Sequence, residues 1–161
     1  MKSITCFLII LLFLFYSSLP AQQEIWIRTN GPETGVANSF ARNTLGEVFV
    51  GTPNGFIYKS TDEGKNWEIL NTETTPKWIT CLLIPNGTNT LYAGTSGNGI
   101  FRSDDRGLTW TDISDHSAGM QYWQITAMTA DANGHIFAGM WGEHGIYTVS
   151  YTHLTLPTKR I

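Results

Sequence analysis

Two octapeptides in this 161-residue chain hold carboxylates at a fixed spacing: Ser60-Thr61-Asp62-Glu63-Gly64-Lys65-Asn66-Trp67 and Ser103-Asp104-Asp105-Arg106-Gly107-Leu108-Thr109-Trp110. A carboxylate at Asp62 or Asp105 could serve as an acid, a base or a calcium ligand. The same spacing also suits a turn. There, the Asp oxygens accept backbone N–H bonds, and Ser60 and Ser103 add a further bond. Gly64 and Gly107 allow positive φ, while Trp67 and Trp110 cover the hairpin with a large apolar ring. A carboxylate held by backbone donors is badly placed for proton transfer, so the turn reading is preferred. The other candidates are sparser. Glu143 could form half of a glycosidase carboxylate pair. His116, His135 and His144 lack metal-ligand spacing. Arg28, Arg42, Arg102 and Arg106 form no recognisable anion-binding set. No catalytic residue, metal ligand or cofactor is therefore assigned.

The elements that must position these residues follow from a repeat. The second octapeptide lies 43 residues after the first, and its surroundings keep the same register. Val48-Phe49-Val50-Gly51-Thr52 recurs as Leu91-Tyr92-Ala93-Gly94-Thr95 and again as Ile136-Phe137-Ala138-Gly139-Met140. Apolar alternation, β-branched and aromatic residues and Gly/Asn turns predict four strands per repeat. They fall at 36–42, 47–51, 56–60 and 67–71, then at 78–84, 90–94, 100–103 and 109–114. A third set begins at 124–130 and 135–139 and continues from Gly145-Ile146-Tyr147. No segment carries a helical period. Four short strands every 40–50 residues predict an all-β fold of propeller blades. Trp26-Ile27-Arg28-Thr29 aligns with the strands that open at Trp67 and Trp110. It reads as a lone fourth strand, the piece that closes a ring. The expected architecture is a β-propeller fragment: two complete four-stranded blades, one truncated blade and that N-terminal closing strand.

The octapeptides resemble the Asp-box (BNR) repeat, with Ser, Asp, Gly and Trp on the hairpin between strands three and four. Counted by blades, the resemblance covers nearly all of residues 22–147. It is similar to repeats in sialidases, xyloglucanases, sortilin-type receptors and photosystem assembly propellers, so the fold leaves function open. The resemblance implies that ligands sit on the face opposite the boxes. That face is made by the loops between strands two and three and by the connections between blades. It would hold Thr52-Pro53-Asn54, Ser96-Gly97-Asn98 and Trp141-Gly142-Glu143-His144, together with Lys77-Trp78 and the connection from Asp115 to Trp123. Trp78, Trp123 and Trp141, with Glu143 and His144, are the ligand-binding candidates. For Trp78 and Trp123 the preferred reading is packing between blades, and Trp141 is the one expected in solvent. A sialidase resemblance would also call for an arginine triad and a Phe-Arg-Ile-Pro motif; no such motif is present.

The ends read differently from the middle. Lys2, the apolar run Cys6–Tyr16 and the small residues up to Ala21 predict a signal peptide over residues 1–21, too short for a comfortable membrane span. Residues 148–161 read as a non-native tail. Val149–Thr158 back-translates to GTC TCT TAT ACA CAT CTG ACG CTG CCG ACG, which resembles the adapter of tagmentation sequencing libraries. Between the two lie seven of the ten basic residues and all thirteen acidic ones. That balance argues against nucleic acid and anionic membranes as partners. With Cys6 removed, Cys81 stands alone, a buried small hydrophobe in an apolar run. The chain is expected to be exported, secreted or held in the periplasm or at the cell surface, and to be a non-enzymatic binding or interaction module for a glycan or a protein. The alternatives are a glycoside hydrolase with catalytic residues partly in further blades, and the extracellular sensor of a signalling receptor.

Overall fold

The computed structural model describes residues 28–31, 36–70, 73–118, 123–142 and 145–150. The expected signal peptide, Trp26, Glu143 and His144 lie outside them. Among the described residues, eleven strands form three antiparallel sheets. The first sheet is β1 (Ser39–Arg42), β2 (Val48–Gly51), β3 (Ile57–Ser60) and β4 (Glu68–Ile69), in sequence order. The second is β5 (Ile79–Leu83), β6 (Leu91–Thr95), β7 (Ile100–Ser103) and β8 (Thr111–Asp112), in the same order. The third is β9 (Ile125–Ala130), β10 (His135–Met140) and β11 (Ile146–Ser150), again as a meander. One 3-10 turn spans His116–Ala118.

Each strand predicted within the repeats has a counterpart, but the outermost ones are shorter than the sequence suggests; of the predicted strand Trp26–Thr29 only residues 28 and 29 are described, and they form no strand. β4 and β8 are two residues each, both exposed, and begin after Trp67 and Trp110. An outer strand pairs on one side only and buries no side chain at these positions, so little extends the ladder. At the other extreme, every residue of β6 is buried. In β11, Thr148, Val149 and Ser150 pair with Phe137, Ile136 and His135, so the strand runs into the segment read as an adapter-derived tail.

The apolar core lies between sheets, not within them. Phe49, Ile57 and Leu70 of the first sheet region pack with Ile79, Leu82, Leu91, Ala93 and Trp110 of the second. Cys81 and Ile100 pack with Ile125, Ala138 and Met140 of the third. The repeated glycine at the end of strand two explains how the sheets come close. A Cβ on Gly51 would sit 2.7 Å from Ile79 Cγ2, and one on Gly94 would sit 2.7 Å from Ile125 Cγ2. The isoleucine that opens each following sheet thus fills a socket in the sheet before it. For Gly139 the nearest described atom is Thr126 Oγ1, 3.6 Å away in the same sheet.

Polar bonds reinforce the seams. Leu82 N–H donates to Ser39 Oγ at 2.6 Å, and Asn38 Nδ2 donates to Ile79 O at 3.3 Å. The Thr80 hydroxyl donates to Ile125 O, and Gly97 N–H donates to Trp123 O at 3.2 Å. Arg106 Nη1 reaches Glu47 Oε1 at 3.2 Å across the first seam. Of the aligned segment Trp26–Thr29, Thr29 takes the place of its aligned residue Leu70. A Cβ on Gly107 would meet Leu70 Cδ1 at 3.0 Å, and one on Gly64 would meet Thr29 Cγ2 at 3.4 Å. Thr29 therefore stands on the first hairpin as Leu70 stands on the second.

Candidate functional site

The strand order separates the molecule into two ends. The Ser60–Trp67 and Ser103–Trp110 hairpins share one end with the strand one-to-two turns. The loops after β2, β6 and β10 share the other with the starts of β5 and β9.

At the hairpin end the two octapeptides have the same bonding. Gly64 N–H donates to Ser60 Oγ at 2.9 Å, and Ser60 Oγ donates to Asp62 Oδ1 at 2.9 Å. Asn66 gives its N–H to Asp62 Oδ1 at 2.8 Å and its Nδ2 to Oδ2 at 2.6 Å. In the second hairpin Gly107 N–H donates to Ser103 Oγ, Ser103 Oγ to Asp105 Oδ1, and Thr109 N–H to the same Oδ1, each at 2.8 Å. The Thr109 hydroxyl then takes the place of the Asn66 amide at 2.6 Å. Trp67 and Trp110 donate their indole N–H to Gly64 O and Gly107 O at 3.0 and 3.1 Å. The residue before each glycine is also left-handed, Glu63 at φ 62° and Arg106 at φ 61°.

These bonds fix the protonation state. The Asn66 backbone and side-chain donors hold the Asp62 carboxyl down at about 2. At Asp105 partial burial pushes upward, but the Thr109 hydroxyl and N–H and the Ser103 hydroxyl outweigh it, and the value is lowered. A carboxylate this acidic and this fully bonded neither donates nor accepts a proton readily near neutral pH. Among the described residues no group of three or more His, Cys, Asp or Glu could hold a metal ion. His135 is half-buried, with Nδ1 2.7 Å from Asp131 Oδ2. Asp131 also accepts the Asn133 and His135 N–H groups, so it braces a turn. His116 pairs with Asp112 at 3.1 Å. Cys81 is a free thiol, and burial pushes its pKa up.

Two bracing patterns escape the sequence reading. In the strand one-to-two turn of the first sheet, Asn43 Oδ1 accepts the Leu45 and Glu47 N–H groups, and Asn43 Nδ2 donates to Glu47 Oε2 at 2.5 Å. Asp131 repeats that geometry in the third sheet. At the loop end, buried Thr52 Oγ1 accepts Phe56 N–H at 3.0 Å, and Thr95 Oγ1 donates to Gly99 O at 2.7 Å. The signal was the Gly-Thr pair that closes strand two in both repeats.

The loop end carries the candidate surface. Asn38, Pro53, Trp78, Ile79, Thr80 and Ser96 line a cleft of about 490 Å3 at the seam of the first two sheets. None of these six is ionisable. Trp78, expected to pack between blades, is instead 57% exposed, at φ 54°. A bulky residue in the left-handed region is an outlier costing on the order of 1–3 kcal/mol. Its carbonyl accepts Ser96 N–H at 2.9 Å, which extends the β5–β6 ladder by one residue. Trp123 is half-buried, with its ring centroid 4.8 Å from that of Tyr147. Trp141 is 70% exposed, as its glycine-rich loop implies.

Residues 100–113 match the BNR-Asp box repeat family. No curated protein matches the chain. Several solved structures share the fold. YCF48 bound to D1 peptide gives a TM-score of 0.56 at 14% identity, covering 81% of this chain and 40% of that one. The GH74 enzyme of Niastella koreensis gives 0.56 at 21% identity, covering 71% and 20%. The extracellular domain of the putative hybrid two component system BT4673 from B. thetaiotaomicron gives 0.57 at 20% identity, covering 80% and 17%. The chain thus spans well under half the length of each. It carries Asp-box repeats on the blades of a partial β-propeller.

Proposed function

We propose that the chain is an exported, non-enzymatic propeller module that binds its ligand at the loop end. The observation that carries this reading is the exposure of Trp78 and Trp141 at the end opposite the Asp boxes. Large apolar side chains with a polar tip suit recognition surfaces, where one face is covered and the other stays wet. The Asp-box carboxylates are committed to their own turns, which leaves them no part in acid–base chemistry. Export rests on the apolar run Cys6–Tyr16 within the expected signal peptide of residues 1–21, and the assignment of residues 148–161 to a non-native tail rests on their adapter-like coding.

A second reading, a glycoside hydrolase, is favoured by the GH74 neighbour and would draw on Glu143 and on carboxylates supplied by other blades. The sensor reading is favoured by the BT4673 neighbour. One experiment separates binding from catalysis. The purified full-length protein that contains this chain is tested on glycan and peptide arrays and, in parallel, against chromogenic glycosides. Binding without turnover, weakened by Trp78→Ala or Trp141→Ala, is expected; turnover would establish the hydrolase, and no binding to either array would overturn the module.

A further inference from the structure

We infer that the cleft beside Trp78 is a subsite for a neutral sugar ring, stacked on the Trp78 indole; this rests on the binding-module reading above. Three independent features meet there. The first is backbone strain without a repeat to explain it. The other left-handed non-glycine residues, Glu63 and Arg106, occupy the same position of the two Asp boxes, where the turn demands it. Trp78 sits at the start of β5, and its counterpart in the third blade is Gln124, whose carbonyl accepts Trp141 N–H as that of Trp78 accepts Ser96 N–H. Gln124 is not among the left-handed residues. The ladder alone therefore does not require the strained conformation.

The second feature is what the strain achieves. The Trp78 side chain lines the cleft while more than half exposed. Strained backbone concentrates at ligand-contacting positions, and an open cleft of this volume falls in the small-molecule range.

The third feature narrows the ligand. Among the described residues the lining offers an indole, a proline, an isoleucine, one carboxamide and two hydroxyl side chains, with no charge. A phosphate or carboxylate ligand would find no cation among these six residues; Lys77, one residue before Trp78, is not one of them. An extended peptide would need free strand-edge groups. Two of those of β5 are taken: Ile79 O accepts from Asn38 and Leu82 N–H donates to Ser39. The next seam is similarly closed at Ile125 O by Thr80. Recognition must then come from side chains, namely an apolar plate for the C–H face of a pyranose and neutral polar groups for its hydroxyls. Asn38 Oδ1 stands at the cleft as an acceptor, since its bond to Ile79 uses Nδ2.

The test titrates the full-length protein that contains this chain with cellohexaose, mannohexaose and maltohexaose, and with sialyllactose as the anionic control, following tryptophan fluorescence and heat. At least one neutral oligosaccharide is expected to bind. Trp78→Ala is expected to weaken it about tenfold or more, and Trp78→Phe by less. Trp78→Gly guards against a folding artefact. It relieves the left-handed strain, so its melting temperature should match or exceed that of the parent while sugar binding is lost. Sugar binding that survives Trp78→Gly overturns the subsite. Array binding confined to peptides overturns the sugar assignment and leaves the module reading standing. No binding to glycan or peptide overturns both.

Discussion

At the scale of single residues, the Asp-box carboxylate carries the clearest consequence. The Asp62 value in the folded chain, about 2, lies below the ordinary 3.8. A lowered carboxyl value means that the stabilisation is complete above the unfolded value and is lost as pH falls through the folded one. Thermal melts should therefore show stability that is level above about pH 4 and declines toward about pH 2. Asp62→Asn should lower the plateau and flatten this part of the profile. A profile in Asp62→Asn as steep as the parent's would contradict the assignment. The Asp, Ser, Gly and Trp of each box were legible because each fills a fixed place in one hairpin. The exposure of Trp78 was not. Its residue type and strand-start position suit interblade packing equally well, and only the backbone φ turns the ring outward.

At the scale of elements, the strand two glycines make a graded prediction. A Cβ at Gly94 would stand 2.6 Å from Cys81 Sγ and 2.7 Å from Ile125 Cγ2. Gly94→Ala should cost about 1–3 kcal/mol by overpacking, read from denaturant melts. Gly139→Ala, with 3.6 Å to its nearest described neighbour, should cost clearly less. Equal costs would show that the glycine serves the strand and not the seam. The eleven strands and their order could be read from the repeat, because alternation and turn residues act locally. The depth of the strand two socket could not, since the atoms that fill it arrive from the next repeat. The Asn43–Glu47 brace was missed for a related reason. In sequence it is an ordinary polar turn, and its worth appears only once Glu47 is buried and met by Arg106 from the neighbouring blade.

At the scale of the whole molecule, stability resides in the seams. Both core clusters cross a blade boundary, and each blade alone would leave its apolar face uncovered. Ile146 is 78% exposed on the last strand. A piece comprising residues 22–147 is therefore expected to aggregate on expression, checked by light scattering and size exclusion. A soluble monomer of that piece melting in one cooperative step would contradict this. Thr29 seated at Gly64 belongs to the same scale, since the segment before the first blade covers its hairpin as Leu70 covers the next.

The socket also bears on how such a chain can diverge. Gly51 lies in one blade and its filler, Ile79, in the next; Gly94 and Ile125 form the same kind of pair. A duplication or recombination event cut at blade limits would part each glycine from its isoleucine. The heritable module consequently straddles the seam, running from one socket to the residue that plugs it. Compensating changes, such as Gly51→Ala beside Ile79→Val, should accumulate as pairs across that boundary.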